Sequence, residues 1–245
     1  MPADELTPAA DGDASIPADA LAILADAEIT LEGRMPWSSN ATFLANLGTS
    51  GAQAIYKPVR GERPLWDFEP GLHKREVAAF RLSEAMGFGV VPPTVLRDDG
   101  PLGEGSLQWF VAADHREHYF TIAEQRPEMH PQLRDIAVLD VVANNTDRKS
   151  GHCLLAGDRV WAIDNGLCFA PDFKLRTVIW EFAGDALTTA QLAAVARVCR
   201  GAPAEVAELL DDDEVDAVRR RAAWLAEHRV LPGDDSGHRY PWPLV

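Results

Sequence analysis

The sequence predicts an α+β fold in two lobes, with a small antiparallel sheet and one helix in the first lobe and mostly helices in the second. Short β-rich runs separated by glycine fill the first third of the chain, one helical pattern interrupts them, and helical periodicity dominates the last third. The chain has 245 residues, of which 47% are hydrophobic, so it can bury a core without disulfides or a structural metal.

The first lobe is predicted to contain five strands, because apolar or β-branched runs alternate there with glycine and proline. These runs are residues 27–31, 41–47, 52–56, 90–96 and 106–112. Between the third and fourth runs, residues 74–86 carry apolar side chains at helical spacing and end at Gly87. This pattern predicts a helix with a glycine stop.

The second half is predicted to begin with an apolar helix over residues 131–143, which a polar loop, 144–152, follows. Two short strand patterns come next, and a series of helices then runs to about Arg229. The two strands are expected at 153–155 and 160–163. Three signals mark the starts of the following helices: a threonine cap at Thr188 or Thr189, Pro203, and the acidic residues 211–213.

Two charged features of the second half are interpreted as structural. The last helix has acidic residues in its first turn and the basic residues 219–221 further along, an arrangement that complements the helix dipole. His115 and His118 have a spacing that could hold a metal, but no third ligand is apparent near them in the sequence, so surface histidines are expected.

Composition excludes several classes of function. The net charge of −15 opposes binding to nucleic acid or to an anionic membrane, because both repel an acidic surface. Three cysteines at wide spacing fit a reducing cytoplasm better than a disulfide scaffold. Residues 1–26 lack a signal-peptide pattern and are expected to form an acidic, partly disordered tail. We therefore expect a cytoplasmic protein without stable membrane association.

Three segments place polar residues where the surrounding pattern is apolar. Lys57 ends a strand pattern, Asp147 lies in the polar loop, and Asp164 ends the last strand pattern. The short hairpin between the two acids predicts that they meet at one end of one sheet. Magnesium-dependent phosphoryl transfer needs two such carboxylates and a lysine. Individually, a lysine that extends to solvent and a simple Asp-Asn-Gly turn would also explain these residues.

In this order the segments resemble the phosphatidylinositol 3/4-kinase superfamily, and within it the type II phosphatidylinositol 4-kinases and a group of actinobacterial kinase-like proteins. The resemblance covers about residues 33–169 and is carried mainly by Val138-Leu139-Asp140 through Asn145-Thr146-Asp147-Arg148, with Ala162-Ile163-Asp164-Asn165-Gly166-Leu167 behind it. It implies a protein-kinase-like fold with an N-lobe over 27–111, a C-lobe over 112–245 and ATP between the lobes.

The resemblance also implies a role for each matching residue. Asp147 and Lys57 match the catalytic aspartate and the ATP-binding lysine, and Glu76 matches the acid that pairs with this lysine. Val111 would contact the adenine edge, Ile163 would lie under the ring, and the segment around Asn40 would hold the phosphates. The full set expected to bind ATP is Ser38, Ser39, Asn40, Lys57, Glu76, Val111 and Ile163, and the metal ligands expected are Asp164 and His152.

The sequence departs from the family at His152, where the family usually has an asparagine as the second metal ligand. Imidazole is a poorer ligand for Mg than an amide oxygen is, although it can bind Mn. The expected cofactors are therefore ATP with Mg or Mn. Arg148 and Lys149 beside the catalytic position could contact substrate or only solvate the loop.

The function expected from these features is an ATP-dependent kinase that transfers the γ-phosphate to a protein hydroxyl or a small molecule. Three alternatives stay open. His152 is compatible with an ATP-binding pseudokinase, and the same cleft could serve a nucleotidyl transferase. A lipid kinase is the third, although the chain lacks the polybasic surface and apolar insertion run that favour anionic lipid.

Overall fold

The computed structural model describes residues 16–35, 40–66 and 68–244, and it has the predicted two-lobed α+β architecture. Five antiparallel strands form one sheet in the order β1-β2-β3-β5-β4, and a two-stranded sheet, β6-β7, lies in the second lobe. The strands are β1 (Ile29–Arg34), β2 (Phe43–Leu47), β3 (Ala52–Pro58), β4 (Thr94–Gly100), β5 (Gly103–Trp109), β6 (Cys153–Ala156) and β7 (Arg159–Ala162). The helices are α1 (Ala20–Asp26), α2 (Leu72–Met86), α3 (Tyr119–Gln125), α4 (His130–Ala143), α5 (Thr189–Arg200), α6 (Ala204–Ala207) and α7 (Asp212–His228).

Helix α1 lies within the segment that the sequence assigned to an acidic tail. Leu24 is fully buried and packs with the core of the large sheet. The Arg97 guanidinium also donates to the backbone carbonyls of Leu24 and Ala27, both at 2.9 Å. The ordered first lobe therefore starts several residues before residue 27, because burial of this apolar face outweighs the acidic composition around it. Residues 1–15 of the expected tail lie outside the described residues.

Two further differences have local causes. Strand β4 starts at Thr94 rather than at residue 90, since Pro92 and Pro93 have no N–H to contribute to a strand pair. Helix α3 was not predicted, and it forms where Tyr119 and Ile122 become fully buried in the core of the second lobe.

Strand β3 directs Lys57 toward the space between the lobes. Ala54 and Tyr56 are fully buried in the core of the sheet, so the alternation of a strand places Ile55 and Lys57 on the opposite face. Strand β3 is the central strand of the sheet, and Lys57 pairs in register with Ser106 of the neighbouring strand β5. Because the sheet holds both sides of β3, the backbone of Lys57 is rigidly placed.

Helix α2 belongs to the first lobe by sequence but is held by the second. Its apolar residues, from Ala78 to Met86, join the main core together with α4, α5 and α7. Arg75 forms a buried ion pair with Glu214 of α7 at 2.6 Å, and Arg197 of α5 donates to the Met86 carbonyl at 2.8 Å. The orientation of α2 is therefore fixed against the second lobe. No helix within the described ranges is long and apolar enough to cross a membrane.

Candidate active site

Lys57 lies between two carboxylates at the mouth of the cleft. Its ammonium contacts the Glu76 carboxylate of α2, and its Nζ is 2.7 Å from Oδ1 of Asp164. Burial alone would lower the pKa of Lys57, but Asp164 and Glu76 outweigh it and raise this pKa, so the lysine is charged. The ion pair predicted between Lys57 and Glu76 is present.

Glu76 also fixes the turn that follows β7. Its second carboxylate oxygen, Oε2, accepts the backbone N–H of Asn165 at 2.9 Å. In this turn Asp164 has a φ of 57°, a left-handed conformation that aspartate tolerates better than most residues do. The buried carboxylate of Glu76 thus joins the lysine strand to the Asp164 turn.

The Asp164 side chain faces the open part of the cleft and is 52% exposed. The Lys57 ammonium is the main cause of a lowered pKa for Asp164. Asp164 is therefore an anion at neutral pH. A charged, accessible carboxylate is the group that a divalent cation requires.

His152 stands on the other side of Asp164. Its Nε2 lies 3.3 Å from Oδ2 of Asp164, and its Nδ1 lies 3.4 Å from the backbone nitrogen of Lys149. Burial lowers the pKa of His152 to about 4, so its ring is neutral near pH 7. The structure thus brings together the two residues predicted as metal ligands.

Asp147 lies in the same cleft and is paired with Lys149, whose Nζ is 3.0 Å from Oδ2 of Asp147. Burial raises the pKa of Asp147, while the ammonium of Lys149 acts in the opposite direction. A carboxylate with a raised pKa is a better proton acceptor. Lys149, whose role the sequence left open, therefore contacts Asp147.

Arg148 is fully buried and joins three segments behind the cleft: its own polar loop, α4 and the Asp164 turn. Its guanidinium forms a two-pronged ion pair with Asp140 of α4, with Nε to Oδ2 at 3.0 Å and Nη2 to Oδ1 at 2.9 Å. It also donates to the Ile163 carbonyl at 2.7 Å and to Oδ1 of Asn165 at 2.6 Å. The arginine thus holds the polar loop to the Asp164 turn and does not face substrate.

Asp140 and Asn165 received no role from the sequence. The available signal was a carboxylate inside the apolar stretch 136–143 at the end of α4, eight residues before an arginine. Such a residue requires a buried partner, because an unpaired charge in a core is very costly.

The structure describes three more of the residues predicted to bind ATP: Asn40, Val111 and Ile163. Oδ1 of Asn40 accepts the backbone N–H of Arg63 at 3.1 Å, and Asn40 lines the cleft. Val111 is buried against Ala156 and Trp161 beyond β5, and Ile163 lies beside Asp164. Ser38 and Ser39, predicted to hold phosphate, lie outside the described residues.

The enclosed part of the cleft measures about 60 Å³. Lys57, Glu76, Asp147 and Asp164 all line it. This space is far smaller than the roughly 300–1,000 Å³ typical of pockets for organic ligands. It suits an ion and a few oxygen atoms, so this enclosed part by itself does not hold a whole nucleotide.

The described residues can supply part of the coordination shell of a divalent metal, but not all of it. Within the described ranges no cluster of three or more His, Cys, Asp or Glu residues could hold a metal ion. Asp164 and His152 therefore supply two donors only, and the other positions must come from phosphate oxygens and water, as is usual for Mg at phosphoryl-transfer sites. One carboxylate with one imidazole is a softer set than two oxygen ligands, which favours Mn relative to Mg.

Comparison with known sequences shows one relative that spans almost the whole chain. No family model matches the chain. Protein Rv2133c of Mycobacterium tuberculosis is 39% identical over 265 aligned residues, which cover 92% of this chain and 95% of that protein. Phosphatidylinositol 4-kinase gamma 4 of Oryza sativa subsp. japonica is 30% identical over 129 residues, which cover 44% of this chain but 22% of that protein.

Comparison with solved structures shows the fold. The Golgi casein kinase with Mn and ADP bound superimposes with a TM-score of 0.55 at 16% identity, covering 92% of this chain and 79% of that one. Hydra Fam20 with sugar gives a TM-score of 0.53 at 15% identity, covering 85% of this chain and 86% of that one. The chain therefore has a two-lobed kinase-like fold, as the sequence predicted.

Proposed function

The chain belongs to the family of Protein Rv2133c of Mycobacterium tuberculosis, and we propose that it is an ATP-dependent kinase acting on an alcohol group. The observation that carries this function is the position of Lys57, whose ammonium contacts both Glu76 and Asp164 while Asp147 lines the same cleft. A kinase-like fold with this set of charges has the groups that phosphoryl transfer requires.

In the proposed reaction each residue has a separate task. Lys57 places a fixed positive charge against the phosphate oxygens, and Glu76 holds the lysine in that position. Asp147 accepts the proton of the acceptor hydroxyl while the hydroxyl oxygen bonds to the γ-phosphorus. The bond between the γ-phosphorus and its bridging oxygen breaks at the same time, and ADP leaves.

Asp164 and His152 are the residues proposed to hold a divalent metal, Mg or Mn. When bound, such a metal neutralises charge on the phosphates. The chain itself contributes the anionic oxygens of Asp164, which Lys57 keeps ionised, and the neutral ring of His152 beside them.

We propose that ATP lies between the lobes formed by residues 27–111 and 112–245, with its adenine near Val111 and Ile163. Asn40, Ser38 and Ser39 are proposed to contact the phosphates. The acceptor is a protein hydroxyl or a small molecule. The local match to a phosphatidylinositol 4-kinase supports a distant relationship with the phosphatidylinositol 3/4-kinase superfamily.

The proposed location is the cytoplasm, because Cys153, Cys168 and Cys199 are all free thiols. The net charge of −15 supports the proposal that neither nucleic acid nor a membrane is a stable partner.

A second candidate function, an ATP-binding pseudokinase, is favoured by His152, which stands 3.3 Å from Asp164 where a kinase of the resembled family has an asparagine. A single experiment separates these functions. The full-length chain is incubated with Mg or Mn, a cell protein fraction and lipid vesicles, and with ATP labelled at either the γ- or the α-phosphate.

We expect label from the γ-phosphate to enter protein or a small molecule, and label from the α-phosphate to stay in nucleotide. Transfer of the α label would identify a nucleotidyl transferase, and γ label in lipid would identify a lipid kinase. ATP binding measured by calorimetry without transfer of either label, under both metals, would establish the pseudokinase and contradict the proposed enzyme.

A further inference from the structure

A second cavity, much larger than the enclosed part of the cleft, lies in the second lobe. Its volume is about 640 Å³, within the range of roughly 300–1,000 Å³ that organic ligands occupy. Its walls come from α7 and from the segment around residues 232–239, and none of the cleft residues Lys57, Asp147 and Asp164 lines it.

Arg221 of α7 forms part of this wall and is only 8% exposed. Its Nε donates to the Val142 carbonyl at 2.8 Å and its Nη1 to the Ala170 carbonyl at 3.2 Å. Its Nη2 is buried and has no hydrogen-bond partner among the described residues. The nearby carboxylate of Glu214 is bonded to Arg75 instead.

A guanidinium that is buried without a carboxylate is costly, because the charge loses its hydration and gains no counter-charge. Burial lowers the pKa of Arg221 to about 10, which agrees with the lack of a directly bonded carboxylate. Nη2 itself is closed off from solvent, so an anion in the cavity that Arg221 lines would supply the missing counter-charge through space, without a bond to Nη2. The sequence interpretation of residues 219–221 as dipole partners therefore does not account for Arg221.

Two other arginines, Arg220 and Arg239, line the same cavity. The acidic residue Asp234 also lines it, and its carboxylate accepts the backbone N–H groups of Ser236 and Arg239, both at 2.9 Å, while its Oδ1 lies 4.0 Å from Nε of Arg239. Asp235 is the other acidic residue of the wall and is exposed. The wall thus holds three arginines against two aspartates, a small excess of positive charge in a chain whose net charge is −15.

Aromatic side chains supply the apolar part of the wall. Phe173 and Trp224 line the cavity and are both partly exposed, at 47% and 38%. The Arg239 guanidinium lies 5.1 Å from the centre of the Phe173 ring, so charge and ring face the same space.

From these observations we propose that the cavity is a binding site for a small organic anion, with its phosphate or carboxylate head against the arginines and an apolar body against Phe173 and Trp224. The site is separate from the nucleotide cleft, and it stands whether or not the chain is a kinase.

Calorimetry with the full chain tests this site, with phenyl phosphate and benzoate as probes. Inorganic phosphate and phenol are the halves of phenyl phosphate, and formate and benzene are the halves of benzoate. We expect saturable binding of one probe molecule per chain. The better of the two aromatic anions should bind at least about tenfold more tightly than either half does, because the head and the body both contribute. The ratio of phenyl phosphate to benzoate binding distinguishes a phosphate head from a carboxylate head.

Substitutions in the cavity wall test whether the probes bind in this cavity. Arg239→Gln and Trp224→Ala should each weaken binding about tenfold or more, without the loss of the backbone bonds that Arg221→Met would cause. The matched control is Arg219→Gln on the same helix, since Arg219 pairs with Asp216 at 3.3 Å and does not line the cavity. Lys57→Met reports on the cleft and should leave probe binding unchanged.

Three results would overturn the site. They are the absence of saturable binding of either aromatic anion at about 10 mM, equal binding by the Arg239→Gln and Arg219→Gln chains, and loss of binding in Lys57→Met, which would place the probe in the cleft.

Discussion

The Glu76 carboxylate accepts the backbone N–H of Asn165 at 2.9 Å while its other oxygen contacts the ammonium of Lys57. One buried side chain of α2 therefore sets the distance between the lysine strand and the Asp164 turn. Since Arg75, one residue earlier, is paired with Glu214 of the second lobe at 2.6 Å, α2 is held in the position that keeps both contacts.

Replacement of Lys57 tests the centre of the proposed site. Lys57→Met removes the charge that faces the phosphates, so transfer of the γ-phosphate should fall by at least about 100-fold. Circular dichroism should show that the chain remains folded. The matched control is Lys74→Met, an exposed lysine on α2, which should keep normal transfer. A folded Lys57→Met chain with the same rate as the control would contradict the role of Lys57.

Replacement of Asp164 and replacement of Asp147 are expected to impair different functions. Asp164→Asn should lose the metal-dependent part of ATP binding, because it removes the anionic ligand. Asp147→Asn should bind ATP normally and lose transfer, because it removes the proton acceptor. Calorimetry with and without Mn measures the first effect, and the labelled ATP assay measures the second. If both variants lose the same function, the division of roles is wrong.

His152→Asn converts the sequence to the ligand usual in the resembled family. In an active enzyme we expect transfer to persist and the preference to move from Mn toward Mg, because an amide oxygen is a harder ligand than imidazole. The measurement is the ratio of transfer rates with the two metals, in the original chain and in the variant. An unchanged ratio would show that His152 does not act through the metal.

Arg148 is expected to matter for stability more than for any contact with substrate. Arg148→Met leaves the buried Asp140 without its partner, and loss of one member of a buried pair costs about 3–5 kcal/mol. Urea denaturation measures this effect. Arg116→Met is the control, since Arg116 is 90% exposed, and its denaturation midpoint should stay close to that of the original chain. Similar midpoints for both variants would contradict the structural role.

Asp135 of α4 provides a test by pH. Burial raises its pKa above the ordinary value of 3.8, although Gln191 donates to its Oδ1 at 2.7 Å. A carboxyl with a raised pKa in the folded state destabilises the fold once it ionises, so its cost appears as pH rises through and above 3.8. Asp135→Asn should therefore raise the melting temperature at pH 7, and the gain should shrink below about pH 4. A gain that is larger in acid than at pH 7 would contradict this assignment.

Local pattern was sufficient for much of the fold. The alternation around Tyr56 and Lys57 and the glycine stop at Gly87 depend on neighbours in the chain, so the strand and helix could be predicted from the sequence. The ends of the polar loop and of β7 likewise indicated where Asp147 and Asp164 would meet.

What the sequence by itself determined is the order of the strands and of the helices other than α1 and α3, together with the charged residues at their ends, since backbone propensity and periodicity act over a few residues. Only the tertiary structure decided that Arg148 is buried on Asp140, that Arg75 reaches Glu214 across 139 positions, and that Arg221 lines a cavity. The physical reason is that the energy of a charged side chain depends on its burial and its partners, and both come from segments far away in the chain.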